Sequence, residues 1–186
     1  MENEPRIAEI RKKLPLYEDE QRIRHTLGVY DECAWMAQTF GLSEEEAVTL
    51  CTAALLHDIT KSKTDEEQLA LCEKYGIPLP QDRSAVLPTL HQTTGAPFAR
   101  ELFGEEIVTD RVSSAIACHT TGKAEMSALD KMLFTADFTE PGRKYRSCAE
   151  MREYLHGECE KINKNDKAAL YRLLDDTTKK IIGFTV

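Results

Sequence analysis

Apolar residues recur along the chain at steps of three and four, and alternating β-branched runs are absent, so the pattern predicts helices throughout. Ser43-Glu44-Glu45-Glu46 and Thr64-Asp65-Glu66-Glu67 both fit a capping box, in which hydroxyl and carboxylate each satisfy an orphaned amide. Gly41, Gly76 and Gly104 each follow an apolar stretch, where a left-handed residue closes a helix. Pro78 then bars re-entry after Gly76. The spacing predicts helices at about 5–14, 19–40, 44–58, 65–75, 83–103, 106–119, 126–137, 147–156 and 164–182. The second carries two apolar stripes, Ile23-Leu27-Tyr30-Ala34-Ala37 and His25-Val29-Cys33-Met36-Phe40, a width that belongs in the middle of a bundle. The last is amphipathic through Leu170, Leu173, Leu174, Ile181 and Ile182, and should pack on the outside. No repeat, low-complexity tract or long linker divides the chain. The expectation is one all-α domain over 1–186, a helical bundle with a motif core at about 22–143 and C-terminal packing helices at about 147–182.

Composition narrows the partners. The 186 residues are 41% hydrophobic, enough for one core that buries roughly 70% of the unfolded surface. The formal charge of −8 and the lack of any Lys/Arg run disfavour nucleic acid. No apolar run approaches the roughly 18 residues that span a bilayer, and Met1 to Pro5 does not resemble a signal sequence. The expectation is therefore a cytoplasmic protein with no membrane partner; a homodimer stays open. The six cysteines form no C-x-x-C pair, which suits reduced, buried thiols.

The chemistry lies in which faces the polar residues occupy. His25 shares its stripe with Val29, Cys33, Met36 and Phe40. Asp58 continues Ala47-Cys51-Ala54, with His57 beside it after Leu50 and Ala53. His119 extends Val108-Val112-Ala115, Asp137 extends Met126-Leu129-Leu133, and His91 heads a stripe through Gly95, Phe98 and Leu102. One histidine on an apolar face is usually a hydrogen-bonded core residue. Two carboxylates there are another matter, because an unpaired buried carboxylate costs several kcal/mol and neutral imidazoles cannot balance it. No Lys or Arg lies on those stripes, so a divalent cation held by nitrogen and oxygen is the economical solution. His156, beside Gly157, joins no stripe and is expected to be exposed.

The order His25…His57-Asp58…Asp137 resembles the HD-domain metal-dependent phosphohydrolases. It is closer still to the bacterial YqeK group, the symmetrical bis(5′-nucleosyl)-tetraphosphatases. The segments carrying the resemblance are Arg22 to Val29, Leu55 to Lys61, Ala117 to Gly122 and Ala136 to Arg143, in family order. One departure follows His91, where Gln92-Thr93-Thr94-Gly95 replaces the usual Gly-Pro. The Gly-Tyr-Pro signature of cyclic-dinucleotide phosphodiesterases is missing.

The resemblance implies a dinuclear site, typically of iron, with manganese, magnesium, cobalt or zinc as alternatives. One ion would take His25, His57 and Asp137, the other His91 and His119, with Asp58 bridging and acting catalytically. Two metals acidify water and neutralise phosphoryl charge, and six ligands for two ions leave positions open for substrate. Lys61, Thr120, Thr121 and Arg143 are the candidates for phosphate contacts, and Lys61 also for assisting the leaving group. Arg22 is expected to orient a carboxylate ligand. The implied reaction is symmetrical hydrolysis of the nucleotide diadenosine tetraphosphate to two ADP. Another nucleotide, such as a guanosine alarmone or a dNTP, is the alternative, or a nucleotide-binding regulatory module without turnover. No motif names a base pocket.

Overall fold

A computed structural model describes residues 4–185 of the chain. Among them the order is α1 (Pro5–Lys13), α2 (Glu20–Thr39), α3 (Glu44–Leu56), α4 (Asp65–Lys74), α5 (Leu90–Phe103), α6 (Asp110–Ile116), α7 (Ala128–Thr139), α8 (Arg146–Lys161) and α9 (Lys167–Thr185), with no strand. Short 3₁₀ turns at Leu14–Leu16 and Leu87–Thr89 lead into α2 and α5. The all-α expectation holds. No described helix is long and apolar enough to cross a membrane.

The middle of the bundle is α2 against α3, with α7 packed across both and reaching α6, α8 and α9. α3 owes its place to its sequence. From Leu50 through Thr60 every residue is buried, and a helix apolar on all sides can only sit inside. The α2 stripe reads as expected, with Val29, Cys33, Met36 and Phe40 all at 1% exposure or less. Both expected capping boxes form, and a third joins Ser127 to Asp130 at the start of α7. Gly41, Gly76 and Gly104 take positive φ at their helix ends. All six cysteines are free and buried.

The boundaries differ where helix-stopping chemistry was underweighted. The helix expected over 83–103 begins at Leu90, because an Asp82–Ser84 side-chain turn and Pro88 hold the preceding segment out of helix. The one expected over 106–119 starts only after the Thr109 cap and ends at Ile116. α3 likewise ends at Leu56 rather than residue 58. α8 runs on to Lys161, five residues past the expected end.

Candidate metal centre

Two of these early helix ends build the site. At the end of α3 the His57 Nδ1 lies 2.7 Å from the Ala54 carbonyl, and past α6 the His119 Nδ1 lies 2.7 Å from the Ile116 carbonyl. A helix terminus leaves such carbonyls free, and a carbonyl can only accept. Each Nδ1 therefore carries the proton, and in the neutral ring Nε2 is left as a bare electron pair. Burial pushes His57 down to about 4, keeping it neutral near pH 7. Its Nε2 points at Asp58 Oδ2 (3.5 Å) and Asp137 Oδ1 (3.8 Å), while the Nε2 of His119 points at Asp58 Oδ1 (3.5 Å). Acceptors facing acceptors repel unless something positive stands between them, a part that the charged His25, with its Nε2 3.3 Å from that of His57, plays on one side only.

Asp58 lies at the middle of the cluster. Its Oδ2 faces His25 Nε2 (3.7 Å) and His57; its Oδ1 faces His91 Nε2 (3.4 Å) and His119. On one side His25 Nε2 lies 3.0 Å from Asp137 Oδ1 and 3.3 Å from His57 Nε2. Donors about 2.1 Å from a shared ion stand roughly 3 to 4 Å apart, so this spacing fits. Two three-donor groupings emerge, His25-His57-Asp137 and His57-Asp58-His119. His91 joins neither. It stays beside Asp58 with Thr120 Oγ1 at 3.0 Å from Nε2 and Lys61 Nζ at 3.2 Å from Nδ1. Imidazole and carboxylate without thiolate suit a divalent first-row ion.

The electrostatics correct one premise of the sequence reading. Cations do balance both carboxylates: Arg22 reaches Asp58 Oδ2 at 2.6 Å, and Arg143 reaches Asp137 Oδ1 at 2.6 Å while also donating to the Asp137 carbonyl. Burial alone would raise both carboxylates. For Asp58 the neighbouring imidazoles, His57 first, outweigh it once charged in the acid range where a carboxylate titrates, and His25 with Arg143 do so for Asp137, so both are held well below the usual range. His25 is opposed by burial yet lifted to about 9 by its hydrogen bonds to Asp137 and Glu140. His91 is pushed down to about 3 by burial and by His119.

Other expected residues land as follows. Lys61 sits at the edge of the centre, donating to the Pro88 carbonyl as well as touching His91, and burial pushes its pKa down. The backbone amides of Thr120 and Thr121 are not free for phosphate, because both donate to Gln92 Oε1. The Gln92 amide also donates to Thr121 Oγ1. The segment after His91 is thus helix rather than loop, and Gln92 ties it to the Thr120–Thr121 turn. His156 is not exposed as expected: it stacks on Trp35 with ring centroids 3.8 Å apart and lies 2.9 Å from buried Glu32 Oε1.

The sequence reading missed the role of Glu140. Its buried Oε1 lies 3.1 Å from His25 Nδ1, and Oε2 accepts from Gly142 N at 2.5 Å. A carboxylate behind an imidazole fixes the ring's orientation and its basicity toward a metal. The signal was present, since Glu140 follows Asp137 by three residues on one helix face, just before Pro141.

Residues 22–142 match the HD domain family. The symmetrical bis(5′-nucleosyl)-tetraphosphatase of Halalkalibacterium halodurans is 32% identical over 142 residues, 72% of this chain and 68% of the relative. The protein of that name from Bacillus subtilis is 28% identical over 154 residues, 82% of this chain and 77% of the relative. A crystal structure from Clostridium acetobutylicum, described as a predicted HD superfamily hydrolase involved in NAD metabolism, matches with a TM-score of 0.68 at 28% identity, covering 96% of this chain and 88% of that one. With its histidines and aspartates converging as that order of motifs requires, the chain belongs to the HD domain family, in the branch of relatives named symmetrical bis(5′-nucleosyl)-tetraphosphatase.

Proposed function

We propose that the chain hydrolyses a dinucleoside tetraphosphate symmetrically, with diadenosine tetraphosphate and water giving two ADP. His25, His57 and Asp137 would hold one metal ion, His91 and His119 a second, and Asp58 would lie between them. The carrying observation is Asp58 itself, whose two oxygens face two different imidazole pairs. Such ions, when bound, acidify water and neutralise phosphoryl charge. Iron is the first expectation from the resemblance.

The chain's own groups do the positioning. Arg22 anchors the Asp58 carboxylate and Glu140 the His25 ring. Lys61, half-buried at the rim, is placed to hold a phosphate oxygen and offset charge on the departing ADP. Arg143 lines the clefts on both sides of the centre; its Nε and one terminal nitrogen are held by Asp137, and the other terminal nitrogen can reach a phosphate. The Thr120 hydroxyl remains as a phosphate contact, whereas the Thr121 hydroxyl accepts from Gln92 and donates to the Gly122 carbonyl, and neither amide is free. Water attacking an inner phosphorus breaks the central bridge and releases ADP from both halves, whereas attack at an outer phosphorus yields AMP and ATP.

Metal-loaded protein turned over with diadenosine tetraphosphate in ¹⁸O-water tests this. The products should be ADP alone, with one label per turnover. AMP plus ATP would overturn the symmetrical assignment. No products, with turnover of a guanosine alarmone or dNTP instead, would overturn the substrate.

A further inference from the structure

We propose that Tyr145 is the stacking platform for one nucleobase of the substrate, in a cleft whose rim is formed by Arg24 and Lys144. This deepens the polyphosphate-hydrolase reading above and rests on it.

The cleft opens beside His25, between the first turns of α2 and the segment joining α7 to α8. It has a volume of about 830 Å³, within the roughly 300–1,000 Å³ of small-molecule sites. The cleft on the opposite side, against His119 and Phe138, holds about 190 Å³ and is too small for a nucleotide. A substrate with two nucleoside ends therefore has room for at least one of them only on the His25 side.

Charge selects the occupant. In a protein of net charge −8, this cleft is lined by Arg22, Arg24, Arg143 and Lys144 against one carboxylate, Glu140. Arg22 and Arg143 are committed to Asp58 and Asp137. Arg24 and Lys144 are not. Arg24 has a 3.7 Å pair with Glu20, itself 95% exposed, and such surface pairs are weak. Lys144 is exposed and has no ion pair among the described residues. Two cations that are not spent on the candidate metal ligands, at the rim of a cleft that leads to those ligands, suit the phosphates of a nucleotide.

Tyr145 supplies the other half of the recognition. It is 74% exposed, although its ring is large and apolar. It stands at the start of α8 without a capping side-chain hydrogen bond. Among the described residues it has no ring partner. Its carbonyl accepts from the Ala149 amide in the first turn of α8, and the turn just before it is well held. Glu140 accepts from the Gly142 and Arg143 amides, and Arg152 donates to the Thr139 and Glu140 carbonyls. The segment is thus fastened to the same Glu140 that orients His25, so a base on Tyr145 has a fixed distance to the reacting phosphates. Stacking tolerates any base, because every base has a π-face. The site should therefore demand a base without strongly choosing which.

Calorimetric titration of ADP and of pyrophosphate, which lacks a base, into metal-loaded wild type, Tyr145→Ala and Tyr145→Phe decides the matter without turnover. Tyr145→Ala should weaken ADP about five- to a hundredfold, the range for removing a stacking aromatic. Pyrophosphate should change less than twofold, and Tyr145→Phe should restore ADP binding. The KM for diadenosine tetraphosphate should rise in Tyr145→Ala by a similar factor. Unchanged ADP binding in Tyr145→Ala, or equal loss of ADP and pyrophosphate, would overturn the platform. Failure of the wild type to cleave diadenosine tetraphosphate would refute the preceding reading alone, since the ADP comparison still stands.

Discussion

Gly28 offers a test in which an ordinary helix rule should reverse sign. It lies inside α2, where glycine-to-alanine normally stabilises by about 1 kcal/mol through helix propensity. A Cβ at Gly28, however, would stand 2.5 Å from Glu140 Oε2. That carboxylate cannot swing away freely, because Oε2 accepts from Gly142 N and Oε1 meets His25 Nδ1. Displacing it gives up at least one charge-assisted hydrogen bond, about 1.5–3 kcal/mol. Gly28→Ala should therefore lose about 0.5–2 kcal/mol net, a Tm lower by about 1–8 °C for a chain of this size. The control is Gly157→Ala in α8, where a Cβ meets nothing within 4 Å, and where Tm should rise by about 2–4 °C. Both are measured on chelated protein, so that metal linkage does not enter. Because Glu140 sets the His25 ring, Gly28→Ala should also weaken metal binding, by about ten- to a hundredfold. If both variants raise Tm alike, Glu140 is not held where we place it.

Three further outcomes are expected. Asp58→Ala should abolish metal binding by elemental analysis and nearly all activity, whereas His156→Ala should keep full metal content while losing about 2 kcal/mol of stability with its Trp35 stack and Glu32 bond; equal metal loss in the two would show the histidines misassigned. Lys61→Met should slow turnover roughly ten- to a thousandfold without changing the products, so an AMP signal in that variant would contradict its role. Burial raises Glu18 to about 7, against Thr26 donating to Oε2, with Asp58 raising it further and Arg22 and His25 lowering it. The folded state then holds a proton that the unfolded chain releases, so stability should fall by about 3 kcal/mol as pH rises from about 4.5 to 7. Denaturant titrations of chelated Glu18→Gln and the parent should diverge over that window in the variant's favour, and a pH-independent difference would refute the assignment.

The parts of this structure legible in the sequence are those governed by local rules. The α2 stripe, the two capping boxes and the glycine ends depend on neighbours three or four residues away, and they fold as read. The beginnings of α5 and α6 were misread because apolar residues continue upstream of the true caps, and Pro88 and Thr109 count for more than periodicity. The convergence of His25, His57, Asp58, His119 and Asp137 was legible as a set of inward faces. How they pair was not. Arg143 returns to Asp137 around the turn at Pro141-Gly142, and Gln92 reaches Thr120 and Thr121 across 28 and 29 residues. Helical periodicity carries no information about either.

The pairing changes the argument for a metal without removing it. Read from sequence, the case rested on two buried carboxylates lacking a counter-charge, and Arg22 and Arg143 supply that charge. Guanidinium donors spent on Asp58 and Asp137 do nothing, though, for the imidazole electron pairs. His57 and His119 have given their one proton to the Ala54 and Ile116 carbonyls, so neither can donate from Nε2 while it stays neutral. Protonating His57 to make it a donor is disfavoured by its burial. The electron pair of His119 faces Asp58 Oδ1 at 3.5 Å, a contact that gains nothing unless something positive lies between, and that of His57 faces Asp58 Oδ2 at 3.5 Å with the charged His25 Nε2 3.3 Å to its side. An ordinary buried histidine would instead turn its second nitrogen toward a hydroxyl or an amide. The aimed lone pairs, rather than the carboxylates, are therefore the firmer ground for metal at this site. They arise because α3 and α6 stop two and three residues short of where their apolar stripes end.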